Sequence, residues 1–196
     1  FNTAFAEALP DVDIVGVPVG PPAALPRGAE VLIAAPFRKA GGSLPPSPPP
    51  GWPFNVKWVQ LVSVGIDFYP DWLFQGPAVT SARGSSAVAL AEFALAAIFA
   101  QAKRLPEIWI SRFEQWAPTP ITLVAGKTLG LVGFGSIGEA LAPRARALGL
   151  NVVAVRRSRA PITEPGVEQL DDLGELFARS DYVVLAAPAT PETVHL

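Results

Sequence analysis

Hydrophobic and polar positions fall in blocks along this chain, and the block lengths predict helices and strands in turn. Phe1 to Leu9 has helical spacing and stops at Pro10, which cannot continue a helix. Asp13 to Pro18, Glu30 to Ala35, Lys57 to Val62 and Ala78 to Thr80 are short aliphatic runs with the length of buried strands. Ala87 to Ala100 is apolar almost all round, interrupted by Glu92. It predicts a long helix capped by Ser85 or Ser86, running through Lys103 and buried between two layers or lobes. Pro106 opens a second amphipathic helix with Ile108, Trp109, Phe113 and Trp116 inward. From Gly126 onward strand and helix alternate. The strands are Thr128 to Val132, Asn151 to Val155 and Tyr182 to Ala186, with helices after Ser136 and near Asp171 to Ala178. This alternation predicts right-handed βαβ units on a parallel sheet. Pro143, inside the first of these helices, removes a hydrogen bond and has no functional explanation in the sequence.

Composition adds limits. Half of the 196 residues are apolar, ample for a buried core in one large or two small domains. Six prolines between Ser43 and Pro53 make a stiff surface loop, open to a polyproline II form. Either a connection or a PxxP ligand fits that segment. Without cysteine the chain has no disulfide, thiolate metal site or cysteine nucleophile. The apolar run at Ala87 is too short to span a bilayer, and no signal-peptide pattern opens the chain, so a cytoplasmic protein without membrane contact is expected. Methionine is absent, an initiator included, so the chain is expected to start after its true beginning or to have been processed.

The candidate chemistry begins at Gly133-Phe134-Gly135-Ser136-Ile137-Gly138, which follows the run Thr128 to Val132 and opens a helix. A buried strand, a glycine turn and a helix N-terminus in that order suit a dinucleotide pyrophosphate. Gly133 permits the turn, Gly135 lets backbone approach phosphate, and Gly138 lets helix and strand pack closely. After the second strand, where an acidic residue would accept from ribose hydroxyls, stand Arg156-Arg157-Ser158-Arg159. Guanidiniums pair with a 2′-phosphate where a carboxylate would repel it, which predicts NADP(H) over NAD(H). With a net charge of −2 the arginine cluster is too small for a nucleic-acid surface.

The order of motifs resembles the D-isomer-specific 2-hydroxyacid dehydrogenases, most closely their glyoxylate/hydroxypyruvate reductase branch. The likeness runs from about Lys57 to Leu196. It takes in Trp58-Val59-Gln60-Leu61-Val62-Ser63-Val64-Gly65-Ile66-Asp67, Val79-Thr80-Ser81-Ala82-Arg83-Gly84, the helix with Ala91-Glu92, and Gln115-Trp116. It continues through Gly126-Lys127-Thr128-Leu129-Gly130, the glycine turn, and Ala187-Pro188-Ala189-Thr190-Pro191-Glu192-Thr193.

The resemblance implies an α/β protein of two Rossmann/flavodoxin-like parallel-sheet lobes, the nucleotide lobe only partly present. Residues 1–100 would form the substrate-binding lobe, with a connecting helix at about 86–103, and residues 101–196 the first half of the NAD(P)-binding lobe. Backbone amides at Val64 and Gly65 would hold the substrate carboxylate. Phe134, Ser136 and Ile137 would donate to the pyrophosphate. Ala187, Pro188 and Thr190 would lie against the adenosine or ribose, and Leu90 would face the nicotinamide. Catalytic arginine, glutamate and histidine would follow Leu196, so this stretch alone is expected to be inactive. His195 and Glu92 are read as structural. The implied whole is a homodimer that reduces a small 2-keto acid to a D-2-hydroxy acid with NADPH. A dinucleotide-sensing corepressor-like protein on the same fold, or an NAD-dependent formate- or phosphite-type dehydrogenase, stays open.

Overall fold

The computed structural model describes residues 2–18, 25–37, 43–158, 160–188 and 193, with side chains from Ala4 onward. They divide into two compact units, Phe1–Arg83 and Gly84–Leu196. The expected boundary near residue 100 differs from this division. The long helix packs on elements that follow it, so it belongs to the second unit.

The first unit opens with α1 (Asn2–Ala8) and carries three parallel strands, β1 (Val31–Ala34), β2 (Trp58–Leu61) and β3 (Ala78–Thr80), in the order β1-β2-β3. The strand period of two shows directly in the burial. Leu32, Ala34, Val59 and Leu61 are inside, while Val31, Ile33 and Trp58 on the opposite face are exposed. The inner face packs on Val56, Tyr69, Trp72 and Leu73. Trp52 meets Trp72 edge to face and Phe37 packs tilted against it, and the Trp72 indole donates to the Pro45 carbonyl at 3.0 Å, pinning the proline-rich segment. Asp13 to Pro18 is not a strand: no described strand pairs with it, and an isolated strand has no ladder to hold it.

In the second unit, α2 (Ala87–Ala102) is followed by the one-turn helix α3 (Leu105–Ile108). Next come β4 (Thr128–Val132), α4 (Ser136–Ala147), β5 (Asn151–Val155), β6 (Val167–Gln169), α5 (Leu173–Arg179) and β7 (Tyr182–Leu185). All sheet pairings are parallel and the order is β6-β5-β4-β7. Counted within this unit the order is 3-2-1-4, the half-wound pattern of a nucleotide-binding sheet. The short strand β6 was not anticipated from the sequence. Both faces of the sheet are covered over β4 and β5, as buried parallel strands require, while Val183 and Leu185 on one face of β7 are exposed. Leu129, Leu131, Val152 and Ala154 pack beneath α4 and α2, while Val132, Val153 and Leu170 pack against Leu176 of α5.

Three further expectations need correction. The helix α2 is buried on one side only: Ala87, Ala91, Ile98 and Ala102 are inside, whereas Val88, Leu90 and Phe93 are exposed. Ser86 occupies its N-cap position without a side-chain capping bond. The second amphipathic helix ends after four residues, and Trp109, Phe113 and Trp116 are 76, 84 and 65% exposed. With no apolar layer to receive those rings, one turn of helix has nothing to stabilise its extension. Pro143 is accommodated within α4, where the Arg144 guanidinium donates to the Ala140 carbonyl at 2.6 Å.

At the end of the sheet away from the glycine turn, Asp181 accepts from Lys127 Nζ and from the Thr128 amide, both at 2.8 Å. The Lys127 hydrogen bond, followed by the Thr128 amide, holds the Asp181 carboxyl below its ordinary value. A lowered carboxylate contributes stability above its unfolded value, near pH 4, and loses it as pH falls through the folded value. Wild type should therefore exceed Asp181→Asn in urea midpoint at pH 6, and the gap should narrow as pH falls below about 4. A gap that does not change with pH would contradict this.

Candidate functional site

The glycine turn is built by strand geometry before any ligand is considered. Buried β4 delivers the chain to Gly133, whose amide donates to the Val155 carbonyl at the end of β5 at 2.8 Å. On the other side the Ala186 amide, just after β7, donates to the Val132 carbonyl at 2.8 Å. Gly133 thus sits between the carboxyl ends of β5 and β7, where the winding of the sheet reverses. Its φ of 95° is left-handed. A Cβ there would stand 2.9 Å from the Ala187 nitrogen and 3.0 Å from the Ala186 carbonyl. Conformation and space both demand glycine.

Gly135 is the N-cap of α4, with extended dihedrals (φ −120°, ψ −154°), and a Cβ on it would meet nothing within 4 Å. The space in front of that backbone is open. Glycine has no side chain to cap the helix, so the first-turn amides of Ser136, Ile137 and Gly138 meet no acceptor among the described residues. Those donors and the positive end of the helix dipole suit an anion. The role expected of Gly138 changes. A Cβ at that position would lie 3.0 to 3.4 Å from the Phe134 ring, so Gly138 makes room first for this buried aromatic. Phe134 is therefore a core residue whose side chain supports the turn from beneath.

The arginine run starts one residue beyond the carbonyl that Gly133 holds. Arg156 is half-buried and Arg157 and Ser158 are exposed. Neither guanidinium pairs with a carboxylate among the described residues. Ala187 and Pro188 follow β7, with Ala187 against the Gly133 turn and the Pro188 carbonyl accepting from Thr193 Oγ1 at 2.7 Å. The structure thus brings Gly133 to Gly138, Arg156 and Ala187 to one end of the second sheet. Arg159, Thr190 and His195 lie outside the described residues.

Val64 and Gly65 belong to the first unit, in the turn that leaves β2. The amides of Val64, Gly65 and Ile66 donate to no acceptor among the described residues, and Val64 and Ile66 are exposed. Successive free amides in a turn are the donors from which anion-binding concavities are built. A Cβ at Gly65 would stand 2.8 Å from Asp67 Oδ1, so the glycine keeps the turn clear of that carboxylate.

Sequence reasoning missed two features. Gly130, inside β4, lets α5 close on the sheet: a Cβ there would overlap Ser180 Oγ and come within 2.7 Å of Leu176 Cδ2. A lone glycine in a strand was the available signal. The hydroxyls of Ser63 and Tyr69, which brace the β2 turn, gave none. No cluster able to hold a metal occurs among the described residues, and no helix among them is long and apolar enough to cross a membrane.

A half-wound parallel sheet with a glycine turn and an uncapped helix N-terminus at its reversal point defines a dinucleotide-binding domain. Comparison with known proteins narrows this. The family model described as D-isomer specific 2-hydroxyacid dehydrogenase, NAD binding domain, matches residues 95–196. The chain is 36% identical over 147 residues to the hydroxypyruvate reductase of Thermotoga maritima, covering 72% of this chain and 47% of that protein. It is 37% identical over 175 residues to the D-3-phosphoglycerate dehydrogenase of Mycobacterium bovis, covering 86% of this chain and 30% of that protein. The crystal structure of a glyoxylate reductase from Paecilomyes thermophila superposes with a TM-score of 0.64 at 29% identity, over 72% of this chain and 45% of that one. The chain belongs to the D-isomer specific 2-hydroxyacid dehydrogenase family and carries its nicotinamide-dinucleotide-binding fold, as the motif order implied. It spans less than half the length of the curated relatives it matches.

Proposed function

We propose that the whole protein to which this chain belongs reduces small 2-keto acids of the glyoxylate and hydroxypyruvate type to D-2-hydroxy acids, drawing on NADPH. Family membership and relatives named as reductases support the reaction class. The observation that carries the cofactor reading is the Gly133–Val155 hydrogen bond, which sets Arg156 next to a turn with free amides. The nicotinamide supplies the hydride.

The chain's own residues bind and orient in this reading. Amides of Ser136, Ile137 and Gly138 take the pyrophosphate, and Gly135 leaves room for it. Arg156, Arg157 and Ser158 take the 2′-phosphate, and Ala187 and Pro188 flank the adenosine side, where Thr190 would join them. Val64 and Gly65 hold the substrate carboxylate in the first unit, which is the substrate lobe of the proposal. The reading includes a cytoplasmic homodimer in which a second copy covers Val88, Leu90 and Phe93 of α2, exposed by 47, 44 and 73%.

Cofactor choice is tested by titrating NADPH and NADH against wild type and Arg156→Asp. A charge-assisted bond contributes about 1.5–3 kcal/mol, which predicts NADPH binding weakened roughly 10- to 100-fold with NADH unchanged or improved. An unaltered NADPH-to-NADH ratio would refute the assignment. A second substrate reading, a phosphorylated 2-hydroxy acid, draws on the phosphoglycerate dehydrogenase relatives. Steady-state assays with glyoxylate, hydroxypyruvate and 3-phosphoglycerate separate the two.

A further inference from the structure

The turn after β2 is held by a pair of hydroxyls that the carboxylate-binding role of Val64 and Gly65 does not itself require. Tyr69 is 2% exposed, and its ring packs against Phe37 at a centroid distance of 5.7 Å. Its hydroxyl donates to the Ala34 carbonyl at 3.0 Å, a carbonyl at the end of β1 that also accepts from the Val62 amide. The same hydroxyl stands 3.1 Å from Ser63 Oγ, and Ser63 Oγ donates to the Gly65 carbonyl at 2.7 Å. The Ser63 carbonyl is fixed in turn by the Ala82 amide at 3.1 Å.

The position calls for an explanation because a hydroxyl is costly to bury, and packing alone would be served by phenylalanine, as at Phe37. What the hydroxyls add is orientation. A peptide unit is planar and trans, so its carbonyl and the following N–H point in opposite directions. Drawing the Gly65 carbonyl toward Ser63 turns the Ile66 N–H the other way, out of the turn. The amides of Val64 and Gly65 likewise have no acceptor among the described residues.

We propose that Ser63, through its bond to the Gly65 carbonyl, is a positioning residue that sets the Gly65–Ile66 peptide plane so that the amides of residues 64–66 converge on the substrate carboxylate. This rests on the reading of Val64 and Gly65 as the carboxylate cradle. Positioning of this kind serves bound substrate and transition state alike, so its loss raises KM and leaves kcat nearly unchanged.

The test is steady-state kinetics of the full-length protein with glyoxylate, beside a titration of NADPH. Ser63→Ala should raise KM about tenfold, with kcat and NADPH affinity within twofold of wild type, whereas Tyr69→Phe, which leaves the bond to the Gly65 carbonyl in place, should raise it less. Ser63→Thr, which restores a hydroxyl, should return KM toward the wild-type value. The double variant should be no worse in KM than Ser63→Ala, since only Ser63 bonds the Gly65 carbonyl. Gly65→Ala separates the two levels of the argument. If it raises KM while Ser63→Ala does not, the turn binds carboxylate but the hydroxyls do not position it, and this inference fails alone. If neither variant changes KM for whichever of glyoxylate, hydroxypyruvate and 3-phosphoglycerate wild type turns over, the cradle reading fails and this inference with it.

Discussion

Gly133→Ala should abolish measurable dinucleotide binding and destabilise the second unit. The added methyl meets backbone on a neighbouring strand, 2.9 Å from the Ala187 nitrogen and 3.0 Å from the Ala186 carbonyl, and neither can rotate away. The residue must also hold φ at 95°, a conformation that costs a non-glycine residue about 1–2 kcal/mol. Relief requires β7 to move off β4 or the turn to open. Either shift displaces the amides of Ser136 and Ile137 from a pyrophosphate bound at the helix end. NADPH affinity should fall at least 100-fold, and the denaturation midpoint should drop together with it. Gly135→Ala is the informative contrast, because its methyl enters open space and its dihedrals are those of extended backbone. It should fold with wild-type stability, and any loss of affinity would report crowding of the ligand alone. Wild-type affinity in Gly133→Ala, measured by fluorescence titration, would refute the placement of the site.

The second large effect is expected at Gly130, and it concerns stability. Valine there would drive methyl groups into Ser180 Oγ and Leu176 Cδ2, beneath a Leu176 side chain that is 0% exposed. Ser180 is itself committed, donating to the Leu176 carbonyl at 2.6 Å. Overpacking a core costs about 1–3 kcal/mol, and here α5 must lift from the sheet to relieve it, so about 3 kcal/mol is expected in urea unfolding. Leu176→Ala should restore part of that loss in the double variant, because it empties the space the valine needs. Strictly additive losses would mean that the two residues do not share that space.

The strands that build the nucleotide end were legible because burial on both faces writes itself as unbroken apolar runs. Thr128–Val132 and Asn151–Val155 are bounded as the sequence implies. Strand β6 was not legible: its three residues include Glu168, whose carboxylate is spoken for by Arg179, and only pairing with β5 makes it a strand. The apolar spacing around Trp109 and Phe113 implies a helix, but spacing predicts an amphipathic element only where a second surface exists to receive it. For Asp13 to Pro18 the same holds of a partner strand. The glycine turn could be read from spacing because each glycine answers a backbone need, although the need behind Gly138 proved to be an aromatic ring. Nothing local marks Ser63 or Tyr69, since their tie to Ala34 spans 35 residues and exists only once β1 and β2 are paired.

The bare outer face of the first sheet has a practical corollary. Val31, Ile33 and Trp58 form an aliphatic and indole patch beside β1, a border strand whose far side has no described neighbour. Unshielded sheet surface next to an unpaired margin is the geometry from which chains stack into oligomers without fixed stoichiometry. Excised on its own, the segment through Arg83 would be prone to precipitate, and a lysine in place of Ile33 would be the first remedy for handling it.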